Sequence, residues 1–303
     1  MKWRYRLLLW INNARHWLVA QLIFLLIRTM RLVPFDTAAR GFEKFARWLG
    51  PKLKRHQVAL ENLAIAFPEK SPAEREKIAV DAWAQLARGI LEYGYLDQIF
   101  DLDLENPEAG RIELKNGELF DKLRDDGLPA ILFTGHLGNF ELLPMAAAKY
   151  GMELQSMFRA PNNPYAASKV AKARKEVAGN LVASGQGASF QLMSALDRGI
   201  HVGMLVDQKF RRGIDVPFFG KDAPSNPLLA KLARRYDCPV HGARTVRLPD
   251  GRFRLEVTEE IELPRDEQGD VDIRATTELI NGIVEGWVRE HPEQWLWIHR
   301  RWG

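Results

Sequence analysis

A single cysteine, Cys238, stands in the 303 residues, so no internal disulfide can form and no cysteine pair can hold a metal. That scarcity suits a reducing compartment. Acidic residues are nearly missing from the amino-terminal end: residues 1–55 contain only Asp36 and Glu43, against twelve Lys or Arg. No tight spacing such as His-Glu-x-x-His joins the seven histidines, which argues against a metal hydrolase. The apolar run from Trp17 to Ile27 is eleven residues long and is interrupted by Gln21. It falls short of the roughly eighteen expected of a spanning helix. No small-x-small cleavage site follows Ile27 before charged residues return, which speaks against a removable signal peptide. Internal repeats and low-complexity runs are absent as well.

What the amino terminus does contain is basic charge woven between Leu, Ile and Trp. Residues 1–35 are expected to form a membrane anchor, leaving a body at 36–303. Lys2, Arg4, Arg6, Arg15, Arg28 and Arg31 flank the apolar runs, so a helix lying in an anionic leaflet is favoured over a spanning one. A tilted segment from Trp10 to Val33 would span only if Arg15 and Arg28 snorkel. Arginines interleaved with apolar rather than polar residues count against nucleic acid.

In the body, strands and helices alternate, the pattern of an α/β protein with a mostly parallel central sheet flanked by helices. Its centre is Ala130 to Pro144, AILFTGHLGNFELLP. Ala130 to Thr134 reads as a buried strand punctuated by Gly135, and a helix resumes near Asn139. On one continuous helix His136 and Glu141 would point roughly 140° apart. With His136 in the turn and Glu141 in the first helical turn, the carboxylate can fold back onto the imidazole. A carboxylate that accepts from one ring N–H frees the other nitrogen to take a proton from a hydroxyl. The same pair also arises without chemistry, because the helix dipole favours Glu at a helix start.

Further strands are expected at Leu154 to Arg159 and Ile200 to Val206, the latter followed by Asp207-Gln208 and the cluster Lys209, Arg211, Arg212. That cluster suits a phosphate. Asp207 could instead cap a turn. Ser71-Pro72-Ala73-Glu74 is a capping box opening a helix to about Gln98. Pro239 to Leu248 and Arg252 to Val257 form a hairpin, and Asp272 to Glu290 a helix. Tyr165 to Val177 reads as a basic amphipathic helix carrying Lys169, Lys172, Arg174 and Lys175. Phe218-Phe219 suits either an acyl-chain wall or core, and the Trp-rich tail from Trp295 to Trp302 suits a headgroup interface.

GHLGNFE resembles the His-x4-Glu block of the bacterial lipid A biosynthesis acyltransferases, relatives of the glycerolipid acyltransferases. Other blocks match in the same order: Phe158-Arg159 with Asn162-Asn163-Pro164, Asp207-Gln208, PFFG at 217–220 and PEQWLWIHRRW at 292–302. Phe158 stands where Tyr is common. The resemblance implies a glycerolipid acyltransferase-like fold on the cytoplasmic face of the inner membrane. It implies transfer of an acyl group from acyl carrier protein to a lipid A precursor, at the 3-hydroxyl of a chain already on the glucosamine disaccharide. By the same resemblance His136 is the base, Glu141 orients it, and Arg159 holds the oxyanion. Asn162, Arg174, Asp207, Gln208 and Lys209 then belong to the substrate side, and neither metal nor cofactor is needed. A glycolipid acyltransferase acting on mannosylated phosphatidylinositol would share every motif. A silent membrane-associated binding protein would keep the fold and leave His136 and Glu141 dispensable.

Overall fold

The structure, a computed structural model, describes residues 2–106, 109–158, 163, 165, 180–183 and 187–302. A helical amino-terminal part comprises α1 (Lys2–Met30), α2 (Phe35–Leu49), α3 (Lys54–Ala66), α4 (Pro72–Glu92) and α5 (Leu96–Ile99). The body follows with β1 (Ile112–Lys115), α6 (Glu118–Asp125), β2 (Ile131–Thr134), α7 (Leu142–Lys149), β3 (Leu154–Phe158) and β4 (Asn180–Ala183). Next come α8 (Ala188–Leu196), β5 (His201–Leu205), β6 (Ile214–Phe218), β7 (Lys221–Ser225), α9 (Leu228–Tyr236), β8 (Val240–Arg247), β9 (Phe253–Val257) and α10 (Ile273–Glu290).

Seven strands form one sheet in the order β1-β9-β8-β2-β5-β3-β4, parallel except for the β8/β9 hairpin. The expected α/β architecture is therefore present. β2 shows why its sequence is so apolar. Ile131 and Phe133 enter one core cluster while Ala130 and Leu132 enter the other, because successive side chains leave opposite faces and both faces are covered. The capping box closes as its sequence dictates: the Ser71 hydroxyl accepts from the Glu74 N–H, and the Glu74 carboxylate accepts from the Ser71 N–H. Asp272 caps α10 by accepting from the Ala275 N–H.

α1 is one helix with Trp10, Trp17, Leu18, Leu22 and Leu25 exposed. Among the described residues no helix is long and apolar enough to cross a membrane, so the spanning alternative for residues 1–35 finds no support. α1 ends tied to the body: the Tyr95 hydroxyl donates to the carbonyls of Met30 and Val33.

One reading of an aromatic segment is corrected and another, left open, is decided. Trp295, Trp297 and Trp302 are buried rather than facing headgroups, and with Phe218 and Phe219 they form a nest of ring contacts inside the body. Phe218 and Phe219 are accordingly core. The tail sequence reads as interfacial because its tryptophans stand close to Arg300 and Arg301. The partners that bury them, β6 and α3, lie far away in the chain.

Candidate active site

β2 and β5 are parallel neighbours with Thr134 opposite Leu205. His136 lies two residues beyond the first and Asp207 two beyond the second, so the two leave the carboxyl edge of the sheet side by side. Open α/β sheets place ligands at that edge. His136 Nδ1 and Asp207 Oδ1 are 2.7 Å apart, and the His136 backbone N–H donates to Asp207 Oδ2, also at 2.7 Å. Gly135 permits the approach: a Cβ there would lie 3.3 Å from Asp207 Oδ2 and 3.2 Å from Val284. Gly138 is required twice over, by its φ of 53° and because a Cβ would come within 2.2 Å of the Thr245 carbonyl.

Asp207 is buried, and the Trp295 indole N–H donates to its Oδ2 at 2.7 Å. Burial alone would push its carboxyl up. The positive charge and hydrogen bonds of His136, with the Trp295 indole, outweigh that and hold it down at about 2. Asp207 is thus a carboxylate that can only accept, which requires His136 Nδ1 to carry the proton. His136 Nε2 is the other ring nitrogen, and the Gln208 amide nitrogen sits 3.0 Å from it. Nδ1 is committed to Asp207, which leaves Nε2 as the ring nitrogen able to exchange a proton with a substrate.

The carboxylate expected to hold the imidazole was that of Glu141. In the structure Asp207 occupies that position on Nδ1. Glu141 is the residue before α7, where its backbone N–H donates to Asn139 Oδ1 and its carboxylate accepts from the Tyr93 hydroxyl at 2.8 Å. It lines the same cavity as His136.

That cavity, about 170 Å³, runs from His136 between the sheet and α7. Leu132, Leu143, Ala147, Leu154, Met204 and Ala243 line it, so it is suited to an unbranched hydrocarbon chain. A second cavity of about 220 Å³ opens on the other side of His136, between α4 and the carboxyl-terminal tail. His136, Phe140 and Tyr93 border both.

The sequence profile of the family described as "bacterial lipid A biosynthesis acyltransferase" matches residues 6–303. The chain belongs to that family. It is an acyltransferase. It is 26% identical over 262 residues to a lipid A biosynthesis myristoyltransferase of Escherichia coli (strain K12), covering 84% of this chain and 76% of the relative. The lipid A biosynthesis palmitoleoyltransferase of the same organism is 26% identical over 268 residues, with coverage of 83% and 80%. Its lauroyltransferase is 25% identical over 311 residues, with coverage of 97% and 90%.

Of the residues expected in this acyltransferase's site, the structure brings together His136, Glu141, Asp207 and Gln208. Lys209 joins them through its backbone, whose N–H donates to His299 Nε2 at 3.3 Å. Arg159, Asn162 and Arg174 lie outside the described residues, as does most of the segment from Tyr165 to Val177. Asn163 is described, and its side-chain amide donates to the His16 carbonyl of α1. Sequence reasoning missed Trp295, Tyr93 and His299 as neighbours of the site. The only signal available for Trp295 was its place in the PEQWLWIHRRW block. Among the described residues no group of three or more His, Cys, Asp and Glu is placed to hold a metal ion.

Proposed function

We propose that this acyltransferase moves a fatty acyl group from an acyl carrier protein thioester to a hydroxyl of a lipid A precursor, the 3-hydroxyl of a chain already attached to the glucosamine disaccharide. The acceptor class comes from the lipid A names of its relatives. The observation that carries the chemistry is the Asp207–His136 pair, with His136 on the wall of a cavity rich in hydrocarbon side chains.

In this reading the donor's acyl chain lies in the cavity beside α7, with its thioester carbonyl near His136. The acceptor hydroxyl displaces the Gln208 amide from Nε2 and gives up its proton as its oxygen attacks the carbonyl carbon. A C–O bond forms, and collapse of the tetrahedral intermediate breaks the C–S bond. The proton on Nε2 passes to the departing thiolate. Asp207 keeps the imidazole oriented and favours the imidazolium that forms, and Glu141 adds negative charge at the same wall. Arg159 and backbone N–H groups nearby hold the oxyanion. A thioester is already activated, so a base and positioning suffice.

The membrane and carrier-protein assignments belong to this same reading. The exposed tryptophans and leucines of α1, with the basic excess of residues 1–55, support an interfacial helix on the cytoplasmic face of the inner membrane. Arg174 and the basic segment around it suit the acidic surface of an acyl carrier protein. The deciding experiment is mass spectrometry of lipid A precursor incubated with acyl carrier protein thioesters of several lengths and membranes holding the native protein or His136→Ala. A mass gain of one acyl group, lost in the variant, supports the reading. No gain with any donor overturns it, and a gain that survives the substitution removes His136 as the base.

A further inference from the structure

We infer that the two cavities meeting at His136 divide the substrates: the cavity beside α7 takes the donor's acyl chain, and the one between α4 and the tail takes the hydroxylated chain of the acceptor. This rests on the acyl-transfer reading above and adds to it which surface selects the acceptor.

The reaction joins two hydrocarbon chains, one ending in a thioester and one bearing a hydroxyl, and both reacting atoms must reach Nε2. A single narrow channel would force the chains to compete. Two apolar cavities that share His136, Phe140 and Tyr93 remove that conflict. The lintel between them is built from opposite sides: Phe140 packs edge-on against the imidazole at 5.1 Å, and the Tyr93 hydroxyl crosses from the end of α4 to the Glu141 carboxylate.

The assignment follows from what surrounds each mouth. The cavity beside α7 lies against the sheet, and its polar groups, His136, Glu141, Thr134 and Ser156, stand among aliphatic and aromatic side chains, as suits a chain whose thioester must reach His136 and which has no headgroup to place. In the second cavity the polar side chains are already engaged with protein. Arg247 donates to Glu92, Gln85 and the Gly138 carbonyl, while Gln294 bonds both backbone groups of Arg247. The surface left to a ligand is Leu86, Ile90, Leu296, Trp297 and Ile298.

The rim of this second cavity carries positive charge. Arg55, on α3, donates to the Ile298 carbonyl at 3.5 Å. α3 begins with Lys54 and Arg55 and has no acid in its first turn, so its N-terminal dipole adds to the same field. A chain whose other end is a phosphorylated disaccharide matches an apolar slot with a basic rim. Ile90, 63% exposed at the mouth, gives such a lipid a way in from outside the body.

The test is two-substrate kinetics on the full-length enzyme in mixed micelles. Ile90→Trp and Leu86→Phe narrow the second cavity, and Ala147→Leu narrows the first. Ile90 is exposed and Leu86 half-buried, so the larger side chains leave the fold intact, which thermal melts verify; Ile90→Trp carries the test if Leu86→Phe does not fold. The expected result is an acceptor KM raised about tenfold or more by Ile90→Trp and Leu86→Phe, with the donor's KM and chain-length preference unchanged. Ala147→Leu gives the converse, a preference shifted to shorter donors at unchanged acceptor KM. Overturning results are a donor preference that moves with Ile90 or Leu86, or an acceptor KM indifferent to both. A native enzyme that transfers no acyl group to the phosphorylated glucosamine lipid removes the function itself, and this inference with it.

Discussion

Trp295 and Asp207, 88 positions apart in the chain, are joined by a 2.7 Å hydrogen bond from the indole N–H to Oδ2, the oxygen that also accepts the His136 backbone N–H. The carboxylate that aims the imidazole is therefore itself aimed by the carboxyl-terminal tail. Leu137 pairs with Trp295 as an antiparallel bridge and the Gly138 N–H donates to the Gln294 carbonyl, so tail and His136 turn move as one unit.

Trp295→Phe keeps most of the ring packing and deletes the donor. One buried hydrogen bond to a carboxylate is lost, which costs about 1–3 kcal/mol of stability. We expect kcat to fall about tenfold, since the Asp207–His136 pair loses part of its support, with both KM values near native. A kcat equal to native would show that the indole bond matters to packing alone.

His136→Ala and Asp207→Asn act on one device and should not add. Asp207→Asn replaces an obligate acceptor with a side chain that can donate, so the imidazole is free to take the other tautomer, and kcat should drop about 100-fold or more. The double variant should be no slower than the slower single one. Rates that multiply would mean that the two residues act independently.

Asp207 also ties stability to pH. Its carboxyl titrates at about 2 in the folded chain against an ordinary 3.8. A lowered folded-state value means that the unfolded chain takes up the proton first, so the stabilisation is full above about pH 5 and fades as pH falls through 4 toward 2. Its size is on the order of 2 kcal/mol. Urea unfolding of native and Asp207→Asn protein should show a gap near pH 6 that narrows steadily toward pH 2. A gap independent of pH would place the variant's cost in packing.

Most of this site was legible from local pattern, and what was not depended on strand order. β2, its Gly-His turn and the helix after it follow from an apolar run, a glycine and a helix-forming stretch, all within fifteen residues. Glu141 was the natural partner for His136 because it is near in sequence. The partner found on Nδ1 comes from the end of β5, and nothing in the spacing of residues 136 and 207 reveals that β2 and β5 are adjacent and in register. The tail tryptophans were misplaced for the same reason: Trp beside Arg looks alike at a headgroup interface and in a buried nest of rings until the neighbouring element is known.

α1 offers a prediction that separates an interfacial helix from a merely exposed one. Trp10 and Trp17 are exposed and the surrounding sequence is basic, so the protein should co-sediment with anionic vesicles, release as salt rises, and bind neutral vesicles weakly. Trp10→Ala with Trp17→Ala should weaken binding to anionic vesicles without altering the melting curve. Binding that ignores both salt and the tryptophans would place the membrane contact elsewhere.

Beneath the His136 turn lies a buried ion pair whose purpose can be separated from its stability. Glu92, the last residue of α4, is fully buried and accepts from Arg247 Nε and Nη2 at 2.8 and 2.7 Å and from the Asn139 amide at 3.0 Å. Arg247 also reaches the Gly138 carbonyl at 3.2 Å. The pair thus grips both residues that follow Leu137 in the turn. Glu92→Ala leaves Arg247 buried without its counter-charge and should cost about 3–5 kcal/mol. Replacing both charges, Glu92→Leu with Arg247→Met, removes the stranded cation and should recover most of that loss, because the desolvation cost of two ions disappears along with their attraction. Activity should not return with it. Asn139 and the Gly138 carbonyl stay without their anchors, the turn carrying His136 is less fixed, and kcat should remain well below native while urea unfolding looks nearly normal. A double variant as unstable as Glu92→Ala would mean the pair is needed for folding, and one that is both stable and fully active would remove its role in positioning His136.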